Sequence, residues 1–249
     1  MASQKIIEVN NLSASFGDKK VLDDITFNVF EKEITVIAGG SGAGKSVLLK
    51  HILGLFDITE GSVSLFGKQW SEVTEEEQNL LYLQTGVMYQ NGGLLNSLTV
   101  GENIALPLEQ HTNLDDKLIA YVVKMKLNLV NLLDAFYLYP NQLSGGMLKR
   151  AAIARAIVMD PPLLFVDEPG AGLDPVSLAS LDKLILDLKK QLGISVVIIT
   201  HEVSSIKRIA DRLLFLEKGK LDFHGTLEEA LKSDHDALRL FFRETVPEK

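Results

Sequence analysis

The chain has 249 residues, 46% of them hydrophobic, and a formal net charge of −8. This length and composition suit one large α/β domain with a buried core. No cysteine is present, which excludes disulfides and thiolate metal sites. The acidic balance, without a dense cluster of lysine and arginine, disfavours binding of nucleic acid. Apolar runs fall far short of the ~20 residues of a transmembrane helix, and the first residues do not resemble a signal peptide. We therefore expect a cytoplasmic protein whose membrane role, if any, comes through a partner.

Short, partly alternating stretches at the amino-terminal end predict antiparallel strands. They cover residues 5–9, 12–16 and 25–29, and Gly17 with Asp18 is typical of a turn between the last two.

Residues 34–38 form a different kind of strand, because they are continuously apolar and mostly β-branched. The same pattern recurs at 163–166 and 196–200. Continuous apolar runs are typical of strands covered on both faces. Helical stretches beside each run predict a mostly parallel sheet flanked by helices.

An octet that fits G-x-x-x-x-G-K-[ST] lies between the strand at 34–38 and a helical stretch at 47–53. Glycines let the backbone point N–H groups inward, and a helix N-terminus adds partial positive charge, so this context predicts a phosphate-binding loop. Lys45 is suited to the β- and γ-phosphates and the Ser46 hydroxyl to a magnesium ion. The alternative is an ordinary glycine turn. The predicted nucleotide-binding residues of this stretch are Gly39, Gly40, Ser41, Gly42, Ala43, Gly44, Lys45, Ser46 and Val47.

The apolar run at 163–166 ends in two acidic residues, Asp167 and Glu168. Asp167 is placed to hold magnesium, and Glu168 to accept a proton from a water that attacks the γ-phosphate. The alternative is that the pair caps a following helix, but Pro169 and Gly170 argue against a helix start there.

Two isolated polar residues follow other strands. Gln90 comes after the short strand predicted at 86–89, and its amide oxygen could contact magnesium or the attacking water. His201 comes after the apolar run at 196–200 and could donate a hydrogen bond to the γ-phosphate. Taken alone, each is more often a surface residue, and a histidine in such a place often caps a helix.

Residues 99–143 are helical in character and have no buried-strand pattern, so we interpret them as part of a helical lobe inserted into the α/β core. Ser144, Gly145 and Gly146 then open a helical run that extends to Val158. This helix start suits an anion, and an ordinary capping serine is an equally good interpretation. After Gly219, a short hairpin at 221–224 and two terminal helices are predicted.

Taken together, the motifs resemble the nucleotide-binding subunit of ABC transporters over roughly residues 5–225. The resemblance implies a P-loop ATPase core with an amino-terminal antiparallel β subdomain, in a single domain spanning 1–249. It also implies a helical subdomain at about 99–158 and a helical tail at about 226–249. The matching motifs are the loop at 39–46, Gln90, LSGGM at 143–147, the acidic strand at 163–168, Gly172-Leu173-Asp174 and His201.

The same resemblance implies ATP as the nucleotide, with Mg²⁺, and a catalytic set of Lys45, Glu168 and His201. It places Phe16 against adenine, although without the resemblance a core or hairpin aromatic is the better interpretation. It implies a head-to-tail homodimer in which the loop of one subunit and residues 144–146 of the other close over each ATP, with Asp174 at the subunit junction.

A narrower resemblance is to ATPases of the Mla type, which serve MCE-protein systems that move phospholipids between bacterial membranes. It implies a permease of the MlaE type, an MCE-domain protein of the MlaD type and, in some members, a STAS-domain subunit of the MlaB type, with the ATPase on the cytoplasmic face of the inner membrane. An ABC ATPase for another cargo and a soluble one of the iron–sulfur assembly type remain alternatives. The similar stretches are residues 90–100, 102–108, 109–112, 143–150 and 172–175.

Departures from the family pattern are Gly40, Met147 and Gly172. None of them removes a catalytic group, so we expect an active ATPase.

Overall fold

The computed structural model describes residues 4–243, which form two compact units. One unit is residues 4–82 together with residues 197–243, and the other is Leu83–Val196. The strands are β1 (Lys5–Phe16), β2 (Lys19–Phe30), β3 (Ile34–Gly39), β4 (Glu60–Leu65), β5 (Lys68–Gln69), β6 (Thr85–Met88), β7 (Leu163–Asp167), β8 (Ser195–Ile199), β9 (Arg212–Glu217) and β10 (Lys220–Thr226). The helices are α1 (Lys45–Ile52), α2 (Glu75–Leu83), α3 (Val100–His111), α4 (Asp116–Leu129), α5 (Gly145–Ala156), α6 (Pro175–Leu192), α7 (Val203–Ile209), α8 (Leu227–Lys232) and α9 (Asp236–Arg243). No helix in this described part of the chain has the length and apolar character needed to cross a membrane.

The amino-terminal strands form an antiparallel sheet in the order β2-β1-β4-β5. The turn predicted at Gly17 and Asp18 joins β1 and β2, as expected. The two separate strands predicted at 5–9 and 12–16 are one strand, β1, so that detail of the prediction was wrong. Its pairing register with β2 shifts between Val9 and Leu12, and Asn11 takes a φ of +47° there. A β-bulge of this kind interrupts the side-chain alternation without ending the strand.

A second sheet of the first unit has the order β10-β9-β3-β8. β3 pairs in parallel with β9, from Thr35 opposite Arg212 to Gly39 opposite Leu216, and β10 is antiparallel to β9. Every residue of β3 is buried, as its continuous apolar run predicted. The hairpin predicted at 221–224 was wrong, because these residues lie within the single strand β10, which pairs with β9 on the other side of Gly219. The two expected helices follow as α8 and α9. Residues 244–249 of the predicted tail lie outside the described residues.

The second unit contains the parallel pair β6 and β7, with Thr85 opposite Leu163 and Met88 opposite Val166. β8 follows β7 in the strand order, and the boundary between the units falls within β8. Residues 163–166 are fully buried, which agrees with the prediction. The mostly parallel α/β architecture with a separate antiparallel sheet is therefore confirmed.

The stretch predicted to be helical contains α3, α4 and two short 3₁₀ turns before α5 begins. Asn103 of α3 is fully buried and organises the chain that leads into this helix. Its side-chain oxygen accepts a hydrogen bond from Leu95 N at 2.7 Å, and its amide nitrogen donates to the carbonyls of Leu95, Leu98 and Thr99.

Asn103→Ala is expected to lower the free energy of unfolding by about 3 kcal/mol, because it leaves several buried polar groups of residues 95–99 without their partner. Urea denaturation measures this change. Asn113→Ala is the matched control, since Asn113 is exposed between α3 and α4. Equal denaturation midpoints for the two variants would contradict the role given to Asn103.

Candidate functional site

The octet at 39–46 connects the end of β3 to the start of α1 within the first unit. Gly44 precedes the first residue of α1 with φ +101°, a left-handed conformation that favours glycine. The backbone N–H groups of the first turn of a helix have no partner inside the helix. The loop and helix therefore form the anion-binding arrangement that the sequence predicts.

Two glycines of this loop are tightly packed and two are not. A Cβ on Gly39 would lie 2.2 Å from the main-chain oxygen of Leu216, and one on Gly44 would lie 2.8 Å from the Leu22 side chain. A Cβ on Gly40 or Gly42 would meet nothing within 4 Å. The loop is thus held closely against β9 and β2 on one side and is open on the other, which is the shape required to receive phosphate oxygens.

Lys45 lies at the first position of α1, and its ammonium group folds back over the loop. Its Nζ donates to the main-chain oxygens of Gly39 at 2.7 Å and Gly40 at 3.0 Å. This places a positive charge beside the open side of the loop, as the phosphate-binding interpretation requires.

Phe16 and His201 are the other predicted site residues of the first unit. Phe16 is 51% exposed at the end of β1, and its ring contacts Phe56 edge-on at a centroid distance of 5.7 Å. This exposure argues against the interpretation of Phe16 as a core aromatic. His201 comes directly after β8, which lies next to β3 in the sheet. The residue before it, Thr200, donates its main-chain N–H to the oxygen of Ile37 in β3 at 3.3 Å. The His201 side chain is exposed, and Glu202 rather than His201 occupies the N-cap position of α7.

In the second unit, β7 ends at Asp167, and Glu168 follows with a φ of +44°. A left-handed conformation is uncommon for a glutamate, and strained backbone of this kind is found at active sites as well as in turns. The next helix, α6, begins only at Pro175 and is capped by Asp174. The alternative in which Asp167 and Glu168 cap a following helix is therefore wrong.

Lys149 of α5 contacts a predicted site residue, and the sequence did not single it out. It is only 5% exposed, and its Nζ donates to the main-chain oxygen of Gln90. Burial lowers the pKa of Lys149, while the charges of Asp167 and Glu168 act in the opposite direction. Within the second unit, Lys149 is thus hydrogen-bonded to the main chain of Gln90, whose own side chain is exposed, and interacts electrostatically with Asp167 and Glu168.

Ser144 occupies the N-cap position of α5, and its hydroxyl accepts a hydrogen bond from Met147 N at 3.3 Å. The capping interpretation of this serine is therefore confirmed. Ser144 and Gly145 are nevertheless exposed, and a Cβ on Gly146 would meet nothing within 4 Å, so the helix start is accessible to an anion.

Asp174 accepts hydrogen bonds from Ser177 Oγ at 2.5 Å and from the main-chain nitrogens of Val176 and Ser177 at 2.9 and 3.0 Å. The hydrogen bonds from Ser177 are the main reason that the pKa of Asp174 lies below its usual value. Asp174 is therefore the charged N-cap of α6. It also lies near the start of α5, since a Cβ on Gly145 would lie 3.5 Å from the side chain of its neighbour Leu173.

The comparisons with known proteins decide the family. Residues 22–171 match the family model described as ABC transporter. The chain belongs to this family. It is 36% identical over 231 residues to the intermembrane phospholipid transport system ATP-binding protein MlaF of Haemophilus influenzae, an alignment that covers 93% of this chain and 88% of MlaF. It is also 37% identical over 235 residues to the probable ribonucleotide transport ATP-binding protein mkl of Mycobacterium tuberculosis. That alignment covers 94% of this chain but only 66% of the length of mkl.

A solved structure agrees with this assignment. The dimeric post-hydrolysis state of the ATP-binding cassette MJ0796, bound to ADP and Pi, superposes with a TM-score of 0.80 at 27% identity, covering 89% of this chain and 99% of MJ0796. The chain is therefore an ABC ATPase, a family whose nucleotide is ATP and whose usual metal ion is Mg²⁺.

The predicted metal-binding residues of this ABC ATPase fit magnesium by their chemistry. Ser46 supplies a hydroxyl oxygen, Asp167 a carboxylate and Gln90 an amide oxygen. All three are hard oxygen donors, and the set contains one carboxylate, which agrees with the one or two carboxylates that usually bind Mg²⁺ together with phosphate oxygens.

Gly39→Ala and Gly40→Ala form a matched pair that tests the loop geometry. Gly39→Ala is expected to lower the melting temperature by several degrees and to weaken ATP binding, because the new Cβ overlaps the Leu216 carbonyl and the φ of +148° is unfavourable for alanine. Gly40→Ala is expected to change the melting temperature little, since its Cβ enters open space. Thermal unfolding with and without Mg–ATP measures both effects; similar behaviour of the two variants would refute this account of the loop.

Proposed function

We propose that this ABC ATPase is the ATP-hydrolysing subunit of a bacterial transporter of the Mla type, which moves phospholipids between the inner and outer membranes. The observation that carries the ATPase part is the loop at 39–46, closely packed at Gly39 and Gly44, open at Gly40, and covered by the ammonium of Lys45. The likeness to MlaF over 93% of the chain supports the lipid cargo.

In this proposal the loop binds the phosphates of ATP through its main chain and the start of α1. Lys45 exchanges its contacts with the carbonyls of Gly39 and Gly40 for the β- and γ-phosphates, which are stronger acceptors because they are charged. Phe16 stacks on the adenine through its exposed ring. The full set proposed to bind ATP is Phe16, Gly39, Gly40, Ser41, Gly42, Ala43, Gly44, Lys45, Ser46, Val47, Gln90, Ser144, Gly145, Gly146, Asp174 and His201.

Ser46, Gln90 and Asp167 would hold the magnesium ion. When bound, the ion neutralises charge on the β- and γ-phosphate oxygens. Glu168 orients the attacking water and accepts its proton, and His201 donates a hydrogen bond to the γ-phosphate. Hydrolysis then depends on positioning and charge stabilisation more than on covalent chemistry.

Two copies of the chain are proposed to bind two ATP molecules between them. Ser144, Gly145 and Gly146 of one copy would face the γ-phosphate bound to the loop of the other, and Asp174 would lie at the junction. The dimeric structure of MJ0796 supports this arrangement.

The proposed partners are a permease of the MlaE type and an MCE-domain protein of the MlaD type, to which some systems of this type add a STAS-domain subunit of the MlaB type. The ATPase would then lie on the cytoplasmic face of the inner membrane. A second candidate is transport of a different cargo, because the relative mkl is described as a probable ribonucleotide transport protein.

Purification of the tagged chain from detergent-solubilised membranes, followed by mass spectrometry, separates these possibilities. The lipid proposal predicts a permease and an MCE-domain protein together with bound phospholipid. A permease without an MCE protein would favour the other cargo, and soluble scaffold proteins alone would favour iron–sulfur assembly.

Glu168→Gln is expected to bind Mg–ATP with an affinity within about threefold of the wild type while its turnover falls by about 10² or more, since a general base contributes roughly that factor. Nucleotide titration and phosphate release measure the two quantities. Glu109→Gln removes an exposed carboxylate of the same unit and is the control. Wild-type turnover in Glu168→Gln would show that the base is misassigned.

A further inference from the structure

The segment from Gln90 to Gly93 is fastened to α5 by two cationic side chains. Lys149 Nζ donates to the main-chain oxygen of Gln90. Arg155 donates to the main-chain oxygen of Gly93 at 2.7 Å and to that of Gly92 at 3.2 Å. Three carbonyls of this short segment are thus held by charge-assisted hydrogen bonds from one helix.

The same segment also packs closely on α5. A Cβ on Gly92 would lie 3.1 Å from the Leu148 side chain, and one on Gly93 would lie 3.1 Å from Arg155 Nη2. Both glycines have positive φ, at +75° and +64°. The segment therefore has little freedom to shift along the helix without losing these contacts.

Lys149 is not required merely to fill space. A buried ammonium group is costly unless it is hydrogen-bonded and close to opposite charge, and an apolar side chain of similar length would fill the same volume at lower cost. Here the compensation comes from the Gln90 carbonyl and from the charges of Asp167 and Glu168. Lys149 therefore holds the main chain of Gln90 through a hydrogen bond and interacts electrostatically with the acidic residues at the end of β7.

We propose that Lys149 is a positioning residue for ATP hydrolysis, whose ammonium group fixes the main chain of Gln90 relative to Asp167 and Glu168. The inference rests on the proposed function, in which Gln90 and Asp167 hold magnesium and Glu168 orients water. Because α5 begins at Ser144, the same contact connects that anion-binding helix start to Gln90. A displacement of α5 would move Gln90, and nucleotide binding at one place would be transmitted to the other.

Lys149→Met is expected to lower kcat at least tenfold and to raise the Mg²⁺ concentration that gives the half-maximal rate, because the Gln90 amide is no longer held in place. The KM for ATP should change less than about threefold, since the loop at 39–46 is unaltered. Lys149→Arg retains charge and donors and should recover most of kcat. Steady-state hydrolysis by the full chain at varied ATP and Mg²⁺ measures these quantities.

Lys126→Met is the matched control. Lys126 is also buried in the second unit, at 4% exposure, and forms an ion pair with Asp160 away from the Gln90 segment. Both methionine variants should show a similar change in melting temperature, but Lys126→Met should keep the wild-type kcat. A kcat for Lys149→Met equal to that of Lys126→Met, or a rise in KM alone, would overturn the proposal. If Lys149→Met does not fold, Lys149→Gln, which keeps a donor but no charge, should show the same fall in kcat.

A double-mutant cycle with Gln90→Ala separates failure of this inference from failure of the proposed function. If Lys149 acts through the Gln90 amide, adding Lys149→Met to Gln90→Ala should lower kcat no further. Multiplying effects would overturn the inference and leave the assignment of Gln90 intact. A wild-type kcat and Mg²⁺ dependence in Gln90→Ala would instead overturn the assignment of Gln90, and the inference with it.

Discussion

The candidate site depends on one physical feature, the accessible start of a helix whose first N–H groups have no partner within the helix. Among the described residues, two such helix starts lie next to a glycine of a predicted nucleotide-binding motif. α1 begins behind Gly44 in the first unit, and α5 begins behind Ser144 in the second. Each attracts negative charge through aligned main-chain dipoles, and at α1 the ammonium group of Lys45 adds to this attraction. A nucleotide triphosphate is the natural ligand of such a pair, and the proposed dimer gives each ATP one start of each kind.

Around these helix starts, the two units use different means to keep polar groups in place. In the first, the position of the loop is set by steric fit, because Gly39 and Gly44 leave no room for a side chain. In the second, a buried charge holds the main chain, because the Lys149 ammonium donates a hydrogen bond to the oxygen of Gln90. Steric fit tolerates changes in charge, whereas a buried ammonium group depends on every one of its partners. We therefore expect variants of the second unit to affect turnover more than nucleotide affinity.

Much of this could be predicted from the sequence, because continuous apolar runs and glycine motifs carry their structure locally. β3 and β7 were found from such runs, and the loop at 39–46 was found from its spacing. β9 was missed although its residues 213–216 are also continuously apolar, since no motif follows it to mark it as part of the parallel sheet.

Lys149 illustrates a different limit of sequence reasoning. The α5 sequence has alanines on several faces, so its periodicity does not show that this lysine faces inward. The importance of this lysine becomes apparent only from its hydrogen bond to the main chain of Gln90, a residue far away in the sequence. The bulge at Asn11 was missed for a related reason, since the register between two strands is a property of the pair.

The most direct test of the account is the molecular mass of the Glu168→Gln variant in solution, measured by light scattering with and without Mg–ATP. The account predicts a monomer of 27.4 kDa without nucleotide and a particle of twice that mass with it, because the two kinds of helix start come together over the phosphates only in a dimer. A mass that stays at the monomer value at saturating Mg–ATP would contradict it.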